Sequence, residues 1–184
     1  VNSLNIDGAI HRFMYQGGFT LDKAVNKLLE AIKRIHQVYP DIKVFILTNF
    51  PNWGWKGEIA YRSPYDETGK MGNGDYYQVI KKIIKEAREK EVEITGVTVD
   101  NPYEYAKGLY FGRKMVRFAP TIDWIGRIRE LENYVKSEGL KFNLIFNSQK
   151  GGSTSNKLFY ENTLNYIQTY YQAGGRPYRY ILKS

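Results

Sequence analysis

Residues 94–100 read ITGVTVD, an apolar run rich in β-branched side chains, and residues 101–105 continue as NPYEY. A short continuous run of this kind is typical of a strand in a parallel sheet that is covered on both faces. It predicts a buried strand that ends in a carboxylate and opens into an acidic, aromatic loop. Asp100 stands at that boundary, where it could act in catalysis or could start a turn through the sequence Asp-Asn-Pro.

The same pattern recurs along the chain, because strand and helix signals alternate throughout. Strands are predicted to end at Asp7, Asn49, Asp100 and Asn147, and each is followed by a segment with apolar residues at helical spacing. Residues 178–182 form a closing strand. Repeated strand–helix units joined by right-handed crossovers predict an α/β fold with a parallel sheet.

Two architectures fit this repeat. A five-stranded, doubly wound open sheet would be complete in 184 residues, whereas a (β/α)8 TIM barrel needs about 250. We favour a single α/β domain over residues 1–184 that is an incomplete TIM barrel, because polar residues stand at every strand end. A barrel builds its active face from all of its strand ends, while a doubly wound sheet concentrates polar groups at one switch point. The strand-like start without an initiator Met also suggests a segment of a longer barrel.

Composition limits the possible functions. The chain has no Cys and two His, so we expect no disulfide, metal site or cofactor. The stretch 69–74, GKMGNG, does not directly follow a strand, so it matches neither the dinucleotide nor the P-loop pattern. The net charge of +8 arises from basic residues interleaved with acidic ones, which argues against nucleic-acid binding. No membrane-spanning run and no secretory signal are visible, so a soluble protein is expected and its compartment is left open.

Three loops that follow predicted strands combine aromatic, amide and glycine residues. Residues 51–74 form the longest of them, and residues 147–153 read NSQKGGS. Aromatic rings beside polar groups suit sugars, whose C–H faces stack while their hydroxyls form hydrogen bonds, although buried rings could instead hold a loop in place. The side chains expected to contact a carbohydrate are those of His11, Asn49, Trp53, Trp55, Asn101, Tyr103, Asn147 and Gln149.

Carboxylates near the strand ends are the candidates for catalysis. Cleavage of a glycosidic bond needs two, one as acid and one as base or nucleophile. Asp7 and Asp100 end alternate strands, and alternate strands of a barrel direct side chains into the same layer. They form the predicted pair, with Glu104 as an alternative on the following loop. Capping or turn formation is the structural alternative for both aspartates.

The segments TNFPNWGW (48–55), TVDNPYEY (98–105) and FNSQKGG (146–152) resemble the active face of a glycoside-hydrolase-type TIM barrel, with the chain as about four βα units. The resemblance implies a glycosidase that acts on an oligo- or polysaccharide and associates with the remainder of the same barrel. One large clan of these barrels carries Asn-Glu-Pro at a middle strand end, with Glu as the acid/base. Here the residues are Asp100-Asn101-Pro102, so that role has no matching Glu. A non-catalytic carbohydrate-binding barrel, or a doubly wound domain for a small anionic ligand, is the alternative.

Overall fold

The computed structural model describes residues 2–61, 71–109 and 122–183, and it shows a parallel sheet of five strands. The strands are β1 (Ser3–Asp7), β2 (Lys43–Asn49), β3 (Gly96–Asp100), β4 (Lys141–Phe146) and β5 (Arg179–Leu182). They are hydrogen-bonded in the order in which they occur along the chain. The predicted α/β fold with parallel strands and alternating helices is confirmed.

Helices of two lengths connect the strands. The long ones are α2 (Leu21–Val38), α3 (Tyr76–Glu89), α5 (Trp124–Ser137) and α7 (Asn156–Gln172). The short ones are α1 (Ala9–His11), which runs into a π-helix (Arg12–Gln16), α4 (Tyr103–Ala106) and α6 (Gln149–Thr154). In these three ranges of the chain, no helix combines the length and the apolar character needed to cross a bilayer.

Side-chain caps set the beginnings of the long helices. Thr20 accepts a hydrogen bond from the Lys23 amide at 3.3 Å, as the predicted start of α2 requires. A helix was predicted from Thr121, which lies outside the described residues. The structure begins α5 at Trp124, because Asp123 accepts from the Gly126 amide at 2.9 Å and caps the helix there.

The two faces of the sheet have different neighbours. Val44, Ile46, Val97 and Leu144 share one apolar core with the buried faces of all four long helices. Phe45, next to Val44 on β2, points to the opposite face and is not part of that core. Strands in chain order with right-handed crossovers place every connecting helix on the same side.

The opposite face is concave, because alternate strands are in contact across it. Thr98 on β3 donates to Asn5 on β1 at 2.6 Å, passing over β2, and also accepts from Asn143 on the neighbouring strand β4 at 3.1 Å. Arg179 on β5 donates to Ser3 on β1 at 3.3 Å, although these strands are the two edges of the sheet. In a flat sheet they would lie about 19 Å apart, four strand spacings of about 4.8 Å. The sheet is therefore strongly curled.

A glycine allows the inner surface of this curl to pack closely. A Cβ at Gly96 would lie 2.0 Å from the Lys141 carbonyl oxygen and 3.0 Å from the Phe45 ring. Phe45 is fully buried, although the four described long helices pack on the other face, and the Arg179 guanidinium lies 5.8 Å from its ring centre. The floor of the concave face is thus filled by side chains of the sheet itself.

Glu132 on α5 is a fully buried carboxylate that joins α5, α7 and the segment leading into β5. It accepts hydrogen bonds from Lys136 at 2.6 Å, Arg129 at 2.8 Å, the Tyr170 hydroxyl at 2.5 Å and the Arg176 amide at 3.0 Å. Burial alone would raise the pKa of Glu132, but these hydrogen bonds outweigh it and lower the pKa. The ionised form of Glu132 therefore stabilises the folded chain.

We expect Glu132→Gln to lower the free energy of unfolding by about 3 kcal/mol, because it leaves several buried donors poorly paired. The control is Glu89→Gln, which breaks an exposed i,i+4 pair with Lys85 and should cost about 0.5 kcal/mol or less. Urea denaturation measures both. Since the pKa of Glu132 is lowered on folding, its contribution is present above the usual carboxyl pKa and is lost on acidification. The difference in unfolding free energy between wild type and Glu132→Gln should shrink as the pH falls below 4.5. Equal unfolding free energies of the two proteins at neutral pH would contradict this role of Glu132.

Candidate functional site

A cleft of about 430 Å³ opens at the carboxyl ends of β2 to β5. Parallel strands align their carboxyl ends, so four successive strands each contribute the residue at their end. The lining side chains are those of Asn49, Asp100, Asn147, Ser148, Gln149, Asn156, Phe159 and Lys183, together with Gly152. Three of the predicted strand-end residues, Asn49, Asp100 and Asn147, and the predicted Gln149 are therefore brought together in one place.

Asp100 directs its carboxylate into this cleft. The residue is 8% exposed; its Oδ1 accepts from Asn147 Nδ2 at 3.3 Å, and its Oδ2 lies 3.2 Å from Lys183 Nζ. A turn-forming aspartate would instead accept from the backbone amides that follow Pro102. Here the Tyr103 amide donates to the Asn147 carbonyl oxygen at 3.0 Å. The side-chain partners of Asp100 thus belong to the cleft and not to a turn.

Glu104 is held away from the cleft, which corrects its assignment as a candidate catalytic residue. It is 3% exposed on α4, and its carboxylate accepts from the Ser148 hydroxyl at 2.5 Å and from the Gln149 and Lys150 amides at 3.0 Å each. These are the first amides of α6, whose start is also capped by Ser148 through the Gly151 amide. Glu104 therefore positions the loop that carries Asn147 to Gln149.

Trp53 and Trp55 lie in the core, which corrects the expectation that they stack on a sugar. They are 3% and 2% exposed. The Trp53 ring packs on Tyr76, and the Trp55 ring packs edge-on against Phe50 and Tyr77. Trp55 Nε1 also donates to Glu130 at 3.0 Å. Both rings anchor the start of the loop after β2, because the apolar core offers them more contact than the cleft does.

Asp7, the last residue of β1, and His11 of α1 do not line the cleft. Asp7 is exposed and pairs with Arg12 at 3.6 Å. His11 borders a crevice of about 10 Å³, room for one water at most. Burial, followed by the charge of Arg12, lowers the pKa of His11. A sugar contact from His11 is therefore corrected to a packing position, while Asp7 shares the concave face with Asp100 at a distance from the cleft.

Asn101 and Tyr103 are also outside the cleft. Asn101 is fully buried, and Tyr103 packs partly against the helix-side core. The aromatic surface of the cleft is instead supplied by Phe159 of α7. Sequence reasoning missed Ser148, Asn156, Phe159 and Lys183. Lys183 could have been identified from the sequence as a cleft residue, because it is the polar residue that follows the fifth strand.

A larger groove of about 660 Å³ lies on the outer surface beside α3 and α5. Four of its charged side chains already pair with each other: Lys85 lies 3.7 Å from Glu89, and Arg88 lies 2.6 Å from Glu138. Within residues 2–61, 71–109 and 122–183 there is also no group of three His, Asp or Glu that could hold a metal ion. The strand-end cleft is therefore the stronger candidate for a functional site.

Comparison with known proteins assigns the chain to no family. No protein-family model matches the sequence, and no curated protein shows significant similarity to it.

We expect Glu104→Gln to loosen the loop after β4, because an amide offers one acceptor where the carboxylate serves three donors. Hydrogen exchange of the Gln149 and Lys150 amides should accelerate about tenfold or more, corresponding to about 1.4 kcal/mol of lost local stability. The control is Glu161→Gln, whose exposed carboxylate lies 3.8 Å from Lys157. Unchanged exchange at both amides would contradict the positioning role.

Proposed function

We propose that the chain is a carbohydrate-active protein, a glycoside hydrolase of the TIM-barrel type, and that it binds an oligosaccharide in the strand-end cleft. The observation that carries this proposal is the Asp100 carboxylate, nearly buried at the end of β3 and facing the cleft between Asn147 and Lys183. A carboxylate held by donors at a strand end is the arrangement that barrel enzymes use for catalysis.

The lining of the cleft supports a sugar as the ligand. Asn49, Asn147, Gln149 and Asn156 present side-chain amides, which both donate and accept hydrogen bonds and so match hydroxyl groups of either orientation. Phe159 adds an apolar ring that suits the C–H face of a pyranose. The volume of about 430 Å³ lies within the range of about 300–1,000 Å³ that ligand pockets occupy.

The partners of Asp100 suit the role of base or nucleophile. Asn147 and Lys183 both donate to its oxygens, which matches an ionised carboxylate. Asp7 is the proposed second carboxylate, because it faces the same side from the alternate strand β1. In the register of the sheet, Asp7 is level with Thr98, two residues before Asp100. In a flat sheet the two residues would be about 12 Å apart, and the curl has to shorten that gap for their carboxyl groups to reach the roughly 5–9.5 Å used by paired glycosidase carboxylates.

The proposed barrel architecture is supported by three features of the sheet. A doubly wound sheet also has parallel strands alternating with helices, so those alone do not distinguish the two. The strands follow chain order, the long helices share a core on one side, and the contact of Arg179 with Ser3 curls the other side inward. A (β/α)8 barrel needs all three, with further strands between β5 and β1 to close it.

A non-catalytic carbohydrate-binding protein is the second candidate, because Asp100 is the single carboxylate among the described side chains that line the cleft. The anionic-ligand alternative has less support at this place. The Gln149 and Lys150 amides at the start of α6 already donate to Glu104 and are not free for an anion. The ammonium of Lys183 is likewise paired with Asp100.

The test is calorimetric titration of the chain with neutral oligosaccharides, together with hydrolysis assays on the ones that bind. We expect Phe159→Ala to weaken saccharide binding about tenfold through the lost stacking surface. Asp100→Asn should keep the fold and the binding but cut hydrolysis about 10³-fold or more, because it removes the titratable carboxylate. Asp41→Asn, an exposed position before β2, is the matched control.

The outcomes separate the candidates. Binding that Phe159→Ala weakens, without any hydrolysis, would support the non-catalytic protein. Hydrolysis that survives Asp100→Asn would remove Asp100 from the chemistry. Failure of every neutral oligosaccharide to bind would refute the carbohydrate proposal itself.

A further inference from the structure

Three cationic side chains converge near the amino-terminal end of the concave face. Lys43 on β2, Lys141 on β4 and Arg179 on β5 occupy register positions that face the same side as Phe45. Tyr178, which is 47% exposed, stands among them. Its ring centre lies 4.3 Å from Lys141 Nζ and 5.5 Å from the Arg179 guanidinium. Four residues of strand, about 13 Å, separate Arg179 from the cleft residue at the end of β5.

The cationic side chains of this cluster have no acidic partners among the described residues. In the part of the chain that the structure describes, no carboxylate lies within ion-pair distance of Lys43, Lys141 or Arg179, and the polar partner of Arg179 is the Ser3 hydroxyl at 3.3 Å. Several basic residues of the helices are paired with carboxylates, as Lys82 is with Asp22 at 2.8 Å. Like charges gathered on one inner surface repel each other, so an anion bound between them would relieve that repulsion.

Tyr178 reports the positive potential at this place. Its pKa is lowered, first by a hydrogen bond from Lys141 and then by the charges of Lys141, Lys43 and Arg179. The phenolate that these cations favour is itself an oxyanion. The electrostatic field of the cluster therefore already selects for the kind of group that we expect it to bind.

We propose that Lys43, Lys141, Arg179 and Tyr178 form a binding site for an oxyanion, namely a phosphate or sulfate group. The guanidinium of Arg179 offers a planar fork that can donate two parallel hydrogen bonds to such a group, while the two ammonium groups add point charges. The hydroxyls of Tyr178 and Ser3 supply further donors. This site is separate from the strand-end cleft and stands without the carbohydrate proposal.

The experiment is calorimetric titration of the 184-residue chain at low ionic strength with three probes: inorganic phosphate, a hexose 6-phosphate and the neutral hexose. The first two distinguish a free anion from an anion carried by a sugar, and the third reports any contribution of the cleft. The variants are Lys141→Gln, Arg179→Gln and the double variant. Lys33→Gln removes the same charge from an exposed position on α2 and is the matched control.

We expect phosphate-bearing probes to bind the wild type and Lys33→Gln equally well, with an affinity that falls as salt is added. Arg179→Gln should weaken binding about tenfold, the usual effect of losing a charged hydrogen-bond pair, and the double variant about 100-fold. Bound phosphate should also raise the pKa of Tyr178 toward its usual value. That shift is measured by phenolate absorbance as the difference between wild type and Tyr178→Phe.

Three results would overturn the proposal. One is the absence of phosphate binding at low ionic strength. Another is equal weakening by Lys33→Gln and Arg179→Gln, which would indicate diffuse attraction to the net charge. The third is hexose-phosphate binding that persists in the double variant or is matched by the neutral hexose, which would assign the interaction to another site.

Discussion

The contact between alternate strands across the concave face is the constraint on which the structure depends. Thr98 can reach Asn5, and Arg179 can reach Ser3, only if the parallel sheet curls far from planarity. That curl leaves one side for the long helices and turns the other into an inner surface. It also draws the carboxyl ends of β2 to β5 toward one point, and this convergence creates the cleft.

The buried carboxylates divide into two kinds because a buried charge must be paired. Glu132 and Glu104 are surrounded by donors from their own scaffold, and each fastens a segment that leads to the cleft: the approach to β5 and the start of α6. Asp100 has fewer partners, and these are side chains of the cleft itself. A carboxylate held at a rigid strand end, with its face toward open space, is available to a ligand in a way that the two glutamates are not.

The charge of the concave face also differs between the two ends of the strands. Its amino-terminal end carries Lys43, Lys141 and Arg179, whereas its carboxyl end carries Asp100 paired with Lys183. An anion is therefore attracted to one end, while the near-neutral cleft at the other end, rich in amides, suits an uncharged polar ligand. The two ends of the strands thus suit different ligands, an anion at the amino-terminal end and an uncharged polar molecule at the carboxyl end.

The alternation of strands and helices, and the polar residue at each strand end, could be determined from the sequence, since both follow from local periodicity. The contacts that individual side chains make could not be determined in this way. In the sequence, Trp53, Trp55 and Glu104 resemble ligand contacts. In the structure the two Trp rings are buried in the core, and Glu104 accepts hydrogen bonds from amides of α6. Lys183 meets Asp100 across 83 residues of chain. Local patterns determine where a strand ends, whereas curl and long-range packing decide which side chains meet there, because those contacts form only when distant strands pair.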